Sequence, residues 1–196
     1  KANPTDMAAL PSQAGRDGAL PAADLEKGWL SVAALDTANP GRLASYSNAC
    51  GIAMRYCMVA PGTVAFPDFE MRPGDVPEFY YGSGTSFAAP QVSGAAALVW
   101  EAFPYLGNDL VRQTLLGTAT DLGAPGVDDV FGYGLLNVSK AVQGPARFDW
   151  GNVTVSTSNG TSRWSNGISG EGGLIKRGSG TLELAGYNDY TGVTRV

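Results

Sequence analysis

A serine that precedes an apolar helical stretch is the residue best placed for chemistry in this sequence. Ser86 follows the small residues Ser83, Gly84 and Thr85 and comes just before the apolar run Phe87–Trp100. The first N–H groups of a helix lack intrahelical partners and carry the positive end of the helix dipole, so they favour developing negative charge. The backbone N–H of Ser86 is therefore a candidate oxyanion donor. Small residues let a substrate backbone approach closely, which makes Ser83, Gly84 and Thr85 candidate substrate-binding residues.

Two interpretations of Ser86 stay open on these local features. One is a helix N-cap serine, the ordinary role of such residues. The other is a nucleophile, which needs an adjacent base. The chain contains no histidine. In hydrolases with a nucleophile elbow the acid and the histidine follow the serine, so that order is disfavoured here. We expect any base and acid for Ser86 to lie before Lys1.

Charge and hydropathy exclude two broad classes. The 196 residues include 13 Lys and Arg against 18 Asp and Glu, a net charge of −5, without a basic cluster. This composition argues against nucleic acid as a partner, because phosphate neutralisation needs surplus positive charge on one face. The longest apolar run, near Gly94–Trp100, is far shorter than the ~20 residues that a membrane helix needs.

Hydrophobic patterning predicts an α/β architecture. The first 28 residues, polar and rich in turn formers, are expected to be mainly loop. The apolar runs Trp29–Leu35 and Ile52–Val59 are typical of strands covered on both faces, as in a parallel sheet. Phe87–Trp100 is apolar almost all round and predicts a buried helix. Because proline is tolerated only in the first turn, Pro90 places the start of that helix close to Ser86.

Two further helices are expected before a change in composition. Asn108–Thr118 is amphipathic, with Asn108 or Asp109 as its N-cap, and Leu135–Val142 forms a short final helix. Downstream of Gly144 the sequence becomes rich in Gly, Ser, Thr and Asn. We therefore predict two domains, 1–144 and 145–196.

The motif around Ser86 carries a family resemblance. Gly84–Leu98 resembles the nucleophile motif of the subtilisin-like serine proteases, the subtilases. Three further segments resemble the same family in its own order: Trp29–Asn48, the turn Val59–Gly62 and the closing segment Phe131–Asn137. The resemblance implies the C-terminal portion of a three-layer α/β domain with a parallel sheet. It also implies that Ser86 attacks the scissile carbonyl of protein or peptide substrates.

The same resemblance implies a missing partner. The family's Asp, His and oxyanion Asn motifs precede the segments that match here, so the N-terminal part of the same protease would supply them. Asp6 and Asp17 do not match the surroundings of the catalytic acid. Loss of Ser or His in subtilisin costs about 10⁶-fold in kcat. The chain alone is therefore expected to be inactive, and a non-catalytic passenger or adhesin with a degenerate subtilase domain remains the alternative. An esterase that uses the same serine is a third interpretation.

The tail resembles a second family. Ile168–Gly192 is similar to the passenger-associated repeat of bacterial autotransporters. This implies the first coils of a right-handed parallel β-helix, and secretion across a Gram-negative outer membrane through a C-terminal barrel. The product would be secreted or held at the cell surface. A generic glycine-rich β-hairpin tail is the alternative interpretation of the same residues.

Cysteines and carboxylates complete the candidate residues. In a secreted protein Cys50 and Cys57 suggest a disulfide, with a pair of buried thiols as the alternative. Without histidine they are a poor zinc site. Asp128 and Asp129 are interpreted as a solvated turn. No cofactor is expected; some subtilases bind calcium, but no site for it is identifiable in this chain.

Overall fold

The computed structural model describes residues 1–13, 23–76 and 78–196. Asp17 lies outside the described residues. The first part contains a 3₁₀ turn at Leu10–Ser12, α1 Ala23–Glu26, β1 Ser31–Leu35, a 3₁₀ helix at Gly51–Tyr56, β2 Cys57–Pro61, β3 Thr63–Pro67, β4 Phe79–Ser83, α2 Thr85–Ala102, α3 Asn108–Gly117 and α4 Val138–Ala141. The tail contains β5 Val153–Ser156, β6 Thr161–Trp164, β7 Leu174–Arg177, β8 Thr181–Leu184 and β9 Thr194–Arg195.

β1 and β2 form a parallel pair at the centre of the first part. Ser31 lies opposite Cys57 and Leu35 opposite Pro61. The strand residues on both faces are buried, as the continuous apolar runs predicted. The predicted strand Ile52–Val59 starts too early, however, because Gly51–Tyr56 is a 3₁₀ helix. Gly51 turns the chain with a φ of +47°, and periodicity alone does not separate a short apolar helix from a strand.

α2 lies across both strands and buries one stripe of small apolar side chains. Ala88, Val92, Ala95 and Val99 recur at helical spacing and are all buried. Within the described residues the predicted burial of this helix holds for one face only, because the opposite face is open. On that face Leu98 is 46% and Trp100 44% exposed. Within the described residues, no helix is both long enough and apolar enough for a membrane crossing.

The two later helices differ from their predicted limits. Gly107 occupies the N-cap of α3 instead of Asn108 or Asp109. The predicted helix Leu135–Val142 shortens to α4. Leu135 instead makes backbone bridges to neighbouring extended segments, and the side chain of Asn137 caps α4. Leu135 and Leu136 thus lie outside the helix.

The tail is a stack of short parallel strands. β5, β7 and β9 form one parallel sheet, and β6 and β8 form another. Strands that alternate between two parallel sheets, with turns between them, are the arrangement of β-helix coils. β7 and β8 both lie within Ile168–Gly192, the segment that resembles the passenger-associated repeat.

The hydrophobic core continues from the helical part into the tail. Leu110 and Leu116 of α3 belong to the same buried cluster as Phe148 and Trp164. The indole N–H of Trp164 donates a hydrogen bond to the Tyr105 hydroxyl at 2.9 Å. The first coil is therefore packed into the helical part, and the predicted division at residues 144 and 145 stays a prediction.

Candidate active site

Ser86 is the second residue of α2, and its side chain is exposed. Gly84 is the N-cap, with φ 155° and ψ 161°, a backbone conformation that is almost exclusive to glycine. The N–H of Phe87 donates to the Gly84 carbonyl at 3.1 Å. The N–H of Ser86 is among the first-turn donors that have no carbonyl one turn earlier. The predicted oxyanion donor thus lies at the positive end of a long helix.

Proline also loosens the first turn of α2 at the serine. Pro90 lies inside the helix and has no N–H to donate. In an α-helix that bond would reach the carbonyl four residues earlier, which is that of Ser86. Both backbone groups of Ser86 are therefore free of the regular helical bonds. The first turn of α2, which contains Ser86, is therefore held mainly by contacts with neighbouring segments.

Those surroundings are the end of β2 and the turn that follows it. The N–H of Gly84 donates to the carbonyl of Gly62 at 2.9 Å. The side-chain amide of Gln91 donates to the carbonyls of Pro61 and Phe87, each at 2.8 Å. These bonds fasten the start of α2 to the carboxyl end of a parallel strand, where ligands bind in open α/β sheets.

The turn itself requires glycine. The Tyr46 hydroxyl donates to the Gly62 carbonyl at 2.7 Å. A Cβ built on Gly62 would lie 2.8 Å from Ala34 Cβ and would overlap the Tyr46 hydroxyl oxygen. The match of Val59–Gly62 to a family turn thus has a packing reason.

The predicted substrate-binding residues surround Ser86. Ser83 ends β4, and its hydroxyl shares a 2.8 Å hydrogen bond with Thr63 across the hairpin. Gly84 separates the hairpin from the helix, and Thr85 is exposed at the helix start. A Cβ added to Gly84 would lie 3.1 Å from Ser86 Oγ. The backbone beside the hydroxyl is bare, and a substrate chain can approach it.

An open depression of about 380 Å³ adjoins the serine. Met7, Trp29 and Leu30 line it together with Ser86 and Ala89. The Trp29 indole N–H donates to the Ala8 carbonyl at 3.1 Å, which fastens the N-terminal segment to the start of β1. Ser86 is thus open to a groove rather than buried among side chains. Within the part of the chain that the structure describes, no group hydrogen-bonds to its hydroxyl.

A larger depression of about 590 Å³ lies by the Asp36 turn and does not include Ser86. Arg42 Nε donates to Asp36 at 2.9 Å, and the same carboxylate accepts the N–H groups of Ala38 and Asn39. The hydrogen bond from Arg42 is the main reason that the pKa of Asp36 lies below its usual range. A carboxylate that caps a turn makes bonds of this kind, so we assign Asp36 a structural role.

The remaining candidates lie away from the serine. A disulfide joins Cys50 and Cys57, both buried, with Cα atoms 5.7 Å apart, at the end of β2 opposite to Pro61. Asp128 accepts three backbone N–H groups, from Ala124, Val130 and Phe131, so its carboxylate serves a turn. Across residues 1–13, 23–76 and 78–196, no three acidic or cysteine side chains cluster as metal ligands would.

Sequence reasoning missed the hairpin that leads into Ser86. β3 and β4 pair antiparallel, with Thr63 opposite Ser83 and Pro67 opposite Phe79. Thr63–Ser83 contains a proline-rich connecting segment with Glu70, Asp75 and Glu78 in it. Its two ends, rich in β-branched and aromatic residues around a Pro/Gly/Asp segment, carry the signal of a hairpin with a long loop.

The model of the Subtilase family matches residues 1–134. The chain belongs to the subtilase family. The match confirms the resemblance found at Gly84–Leu98 and the subtilisin-like α/β fold. A second model, the passenger-associated transport repeat, matches residues 174–196, which hold β7 to β9.

Three relatives of this subtilase are much longer proteins. The autotransporter lipoprotein NalP of Neisseria meningitidis serogroup B is 42% identical over 189 residues, covering 88% of this chain and 17% of the relative. Serotype-specific antigen 1 of Mannheimia haemolytica is 39% identical, covering 84% and 18%. An extracellular serine protease of Serratia marcescens is 32% identical, covering 88% and 21%. The chain spans about a fifth of the length of these curated relatives.

The solved structures that are similar to this chain include the patellamide maturation protease PatA. It is 34% identical, with a TM-score of 0.44, and the aligned part covers 59% of this chain and 42% of that chain.

Proposed function

We propose that this chain carries the nucleophile of a secreted subtilase-type serine endopeptidase. One observation carries the proposal: the hydroxyl of Ser86 is exposed, next to an open groove, at the N-terminus of the central helix of a subtilase domain. Helix position, bare neighbouring backbone and family membership all support the same role for this side chain. Cys50 and Cys57, at the far end of β2, serve the fold as a disulfide in this proposal.

The mechanism follows from what Ser86 has and lacks. Its oxygen attacks the peptide carbonyl, and the hydroxyl proton passes to a histidine of the upstream part of the protease. The carbonyl oxygen becomes an oxyanion that accepts hydrogen bonds from the Ser86 N–H and an upstream asparagine amide. Collapse of this intermediate expels the amine, which takes the proton from the histidine and leaves an acyl-serine that water hydrolyses. Ser83, Gly84 and Thr85 would bind the substrate backbone beside the reacting carbon.

Two surfaces of the described residues could contact that upstream part of the protease: one edge of β1 and the open face of α2. β1 pairs with β2 on one edge, and along its other edge the described residues contribute only an isolated bridge between Leu35 and Leu43. The strand is nevertheless buried on both faces, which is the character of an interior strand of a parallel sheet. The open face of α2 ends in the exposed side chains of Leu98 and Trp100. We infer that an upstream strand pairs with β1 and that upstream helices cover this face.

The tail supports a secreted or surface location. A passenger-associated repeat follows the subtilase part, and NalP is named an autotransporter lipoprotein. We propose that the β-helix starting at β5 leads towards an outer-membrane barrel in the precursor of a Gram-negative bacterium. The protease would then act outside the cell on protein or peptide substrates.

The test compares two serine variants of α2 in the full-length secreted protein. Ser86→Ala removes the nucleophile, while Ser93→Ala removes an exposed hydroxyl whose one hydrogen bond within the described residues is to the Ala89 carbonyl of the same helix. We expect Ser86→Ala to lower kcat for peptide hydrolysis by about 10⁶-fold and Ser93→Ala to stay within about twofold of wild type. Full activity of Ser86→Ala would refute the proposal and favour a non-catalytic passenger.

A further inference from the structure

One face of the β3–β4 hairpin is apolar and open to solvent. Antiparallel pairing places Tyr81 opposite Ala65 and Phe79 opposite Pro67, and alternation along each strand puts all four on the same face. All four are exposed, Phe79 by 63% and Tyr81 by 78%. We call these four residues the aromatic strip.

The opposite face of the hairpin anchors it to the catalytic helix. Phe66 stacks on Phe87 with ring centroids 6.2 Å apart and planes inclined by 11°. Phe69 stacks on the other side of Phe66 at 5.6 Å. Phe87 directly follows Ser86, so the ring stack fixes the hairpin relative to the nucleophile. The aromatic strip takes no part in this anchoring.

The aromatic strip runs towards the active site. At its base the hydroxyls of Ser83 and Thr63 are paired, and Ser83 is three positions before Ser86. A strand advances about 3.3 Å per residue, so Phe79 lies about 13 Å along β4 from Ser83. An extended chain with its scissile bond at Ser86 would reach Tyr81 and Phe79 about three to six residues from that bond.

The tip of the hairpin is acidic. It carries four carboxylates and one guanidinium: Asp68, Glu70, Asp75, Glu78 and Arg72. The charges of Asp68 and Glu78 raise the pKa of Tyr80 between the strip residues. A polypeptide that passes over the aromatic strip therefore meets a negative potential at its far end.

We propose that the aromatic strip binds a distal segment of the polypeptide substrate, one that combines apolar side chains with lysine or arginine. The inference rests on the proposed function and deepens it. Exposed aromatic rings are the side chains that most often anchor a partner, and a basic residue complements the acidic tip. The strip makes the protease prefer long, flexible polypeptides to short peptides.

The experiment uses the full-length secreted protein and two kinds of fluorogenic peptide. The short peptide spans the scissile bond with two residues on each side. The long peptides extend it by six residues, including Phe and Lys, on one side or on the other. The variant is Phe79→Ser with Tyr81→Ser, and the control is Tyr187→Ser, which alters a tail ring that is 86% exposed.

For one of the long peptides we expect kcat/KM of the double variant to fall about tenfold, with the short peptide within about twofold. Tyr187→Ser should leave both unchanged. Glu70→Gln with Glu78→Gln should weaken the preference for the long peptide, and added salt should do the same to wild type.

Three results would overturn the inference. One is an equal change for short and long peptides. Another is no change for either. A third is a lowered melting temperature with normal peptide preference, which would mean that an upstream segment or a second copy covers the strip. If the wild-type protein cleaves the short and the long peptides and one of these three results is found, the aromatic-strip proposal is wrong and the proposed function stands.

If the wild-type protein cleaves neither kind of peptide, the proposed function fails together with the aromatic-strip proposal.

Discussion

Gly84 is the residue whose side chain, if it had one, would most directly disturb Ser86. Its φ of 155° and ψ of 161° belong to a region that other residues essentially do not occupy. A Cβ on this residue would also lie 3.1 Å from Ser86 Oγ, closer than such atoms normally approach. Gly84→Ala therefore forces a choice between a strained backbone and a displaced nucleophile.

Either choice has a size that can be measured. If the backbone keeps its conformation, the strain lowers the free energy of unfolding by about 1–3 kcal/mol. If the start of α2 shifts to relieve it, Oγ moves with the helix, and a misplacement of about 1 Å costs about 100-fold in rate. Because Gly84 also holds Gly62 through a 2.9 Å hydrogen bond, we expect relief by movement to be incomplete. Both losses should appear together.

The assay is kcat for a peptide substrate, with calorimetric melting of the same full-length preparation. Gly107→Ala is the matched control, since Gly107 has an ordinary φ of −73° and open space where a Cβ would go. The control should stay within about twofold of wild-type activity. A Gly84→Ala protein with wild-type kcat and melting temperature would refute the argument that this glycine positions the serine.

Three further predictions concern stability. Replacing Cys50 and Cys57 by alanine should lower the free energy of unfolding by about 2–3 kcal/mol on the loop-entropy model, as measured by urea denaturation; an unchanged midpoint would contradict it. Tyr105→Phe leaves the buried indole N–H of Trp164 without its acceptor and should lower the free energy of unfolding by about 1–3 kcal/mol in the same experiment. An unchanged free energy of unfolding would contradict a stabilising role for this hydrogen bond. Asp36→Asn should lower the melting temperature at pH 7 but not in acid. A lowered carboxyl pKa stabilises the fold above the unfolded value, near 3.8, and this contribution is lost as pH falls through the lowered value, so a pH-independent difference would contradict the ion pair.

The sequence was most informative where one residue type restricts the backbone. Pro90 predicted a helix start close to Ser86, and α2 begins at Thr85, although Pro90 then lies in the second turn and leaves the Ser86 carbonyl without its helical bond. Long apolar runs marked β1 and β2 correctly as strands covered on both faces. In these segments local propensity and tertiary packing favour the same conformation.

Elsewhere tertiary context decided. The run Ile52–Val59 is apolar without a period, and only its end became a strand. Leu135 left the predicted final helix because its backbone bonds to Thr120 and to β2 instead. The hairpin was missed because Pro67 ends β3 and the connecting loop that follows is rich in carboxylates. The hydrogen-bond partners of Leu135 are distant from it in the sequence, so no local pattern shows them.

The candidate site was predictable only in part. The nucleophile and its neighbours are local in the sequence, so Ser83, Gly84 and Thr85 could be named with Ser86. The open groove beside Met7 and Trp29 could not, because it depends on how distant segments fold together. The lack of histidine showed only that this chain holds no imidazole base, and the place of the acid came from the family resemblance.

Whether Ser86 is the acylated residue is most directly tested by mass spectrometry after reaction with a fluorophosphonate. Such probes phosphonylate a serine only when a neighbouring base activates it. In the full-length protein we predict one adduct, on Ser86, and none on the 196-residue chain alone. An adduct on another serine, or no adduct on a preparation that hydrolyses peptides, would contradict the account.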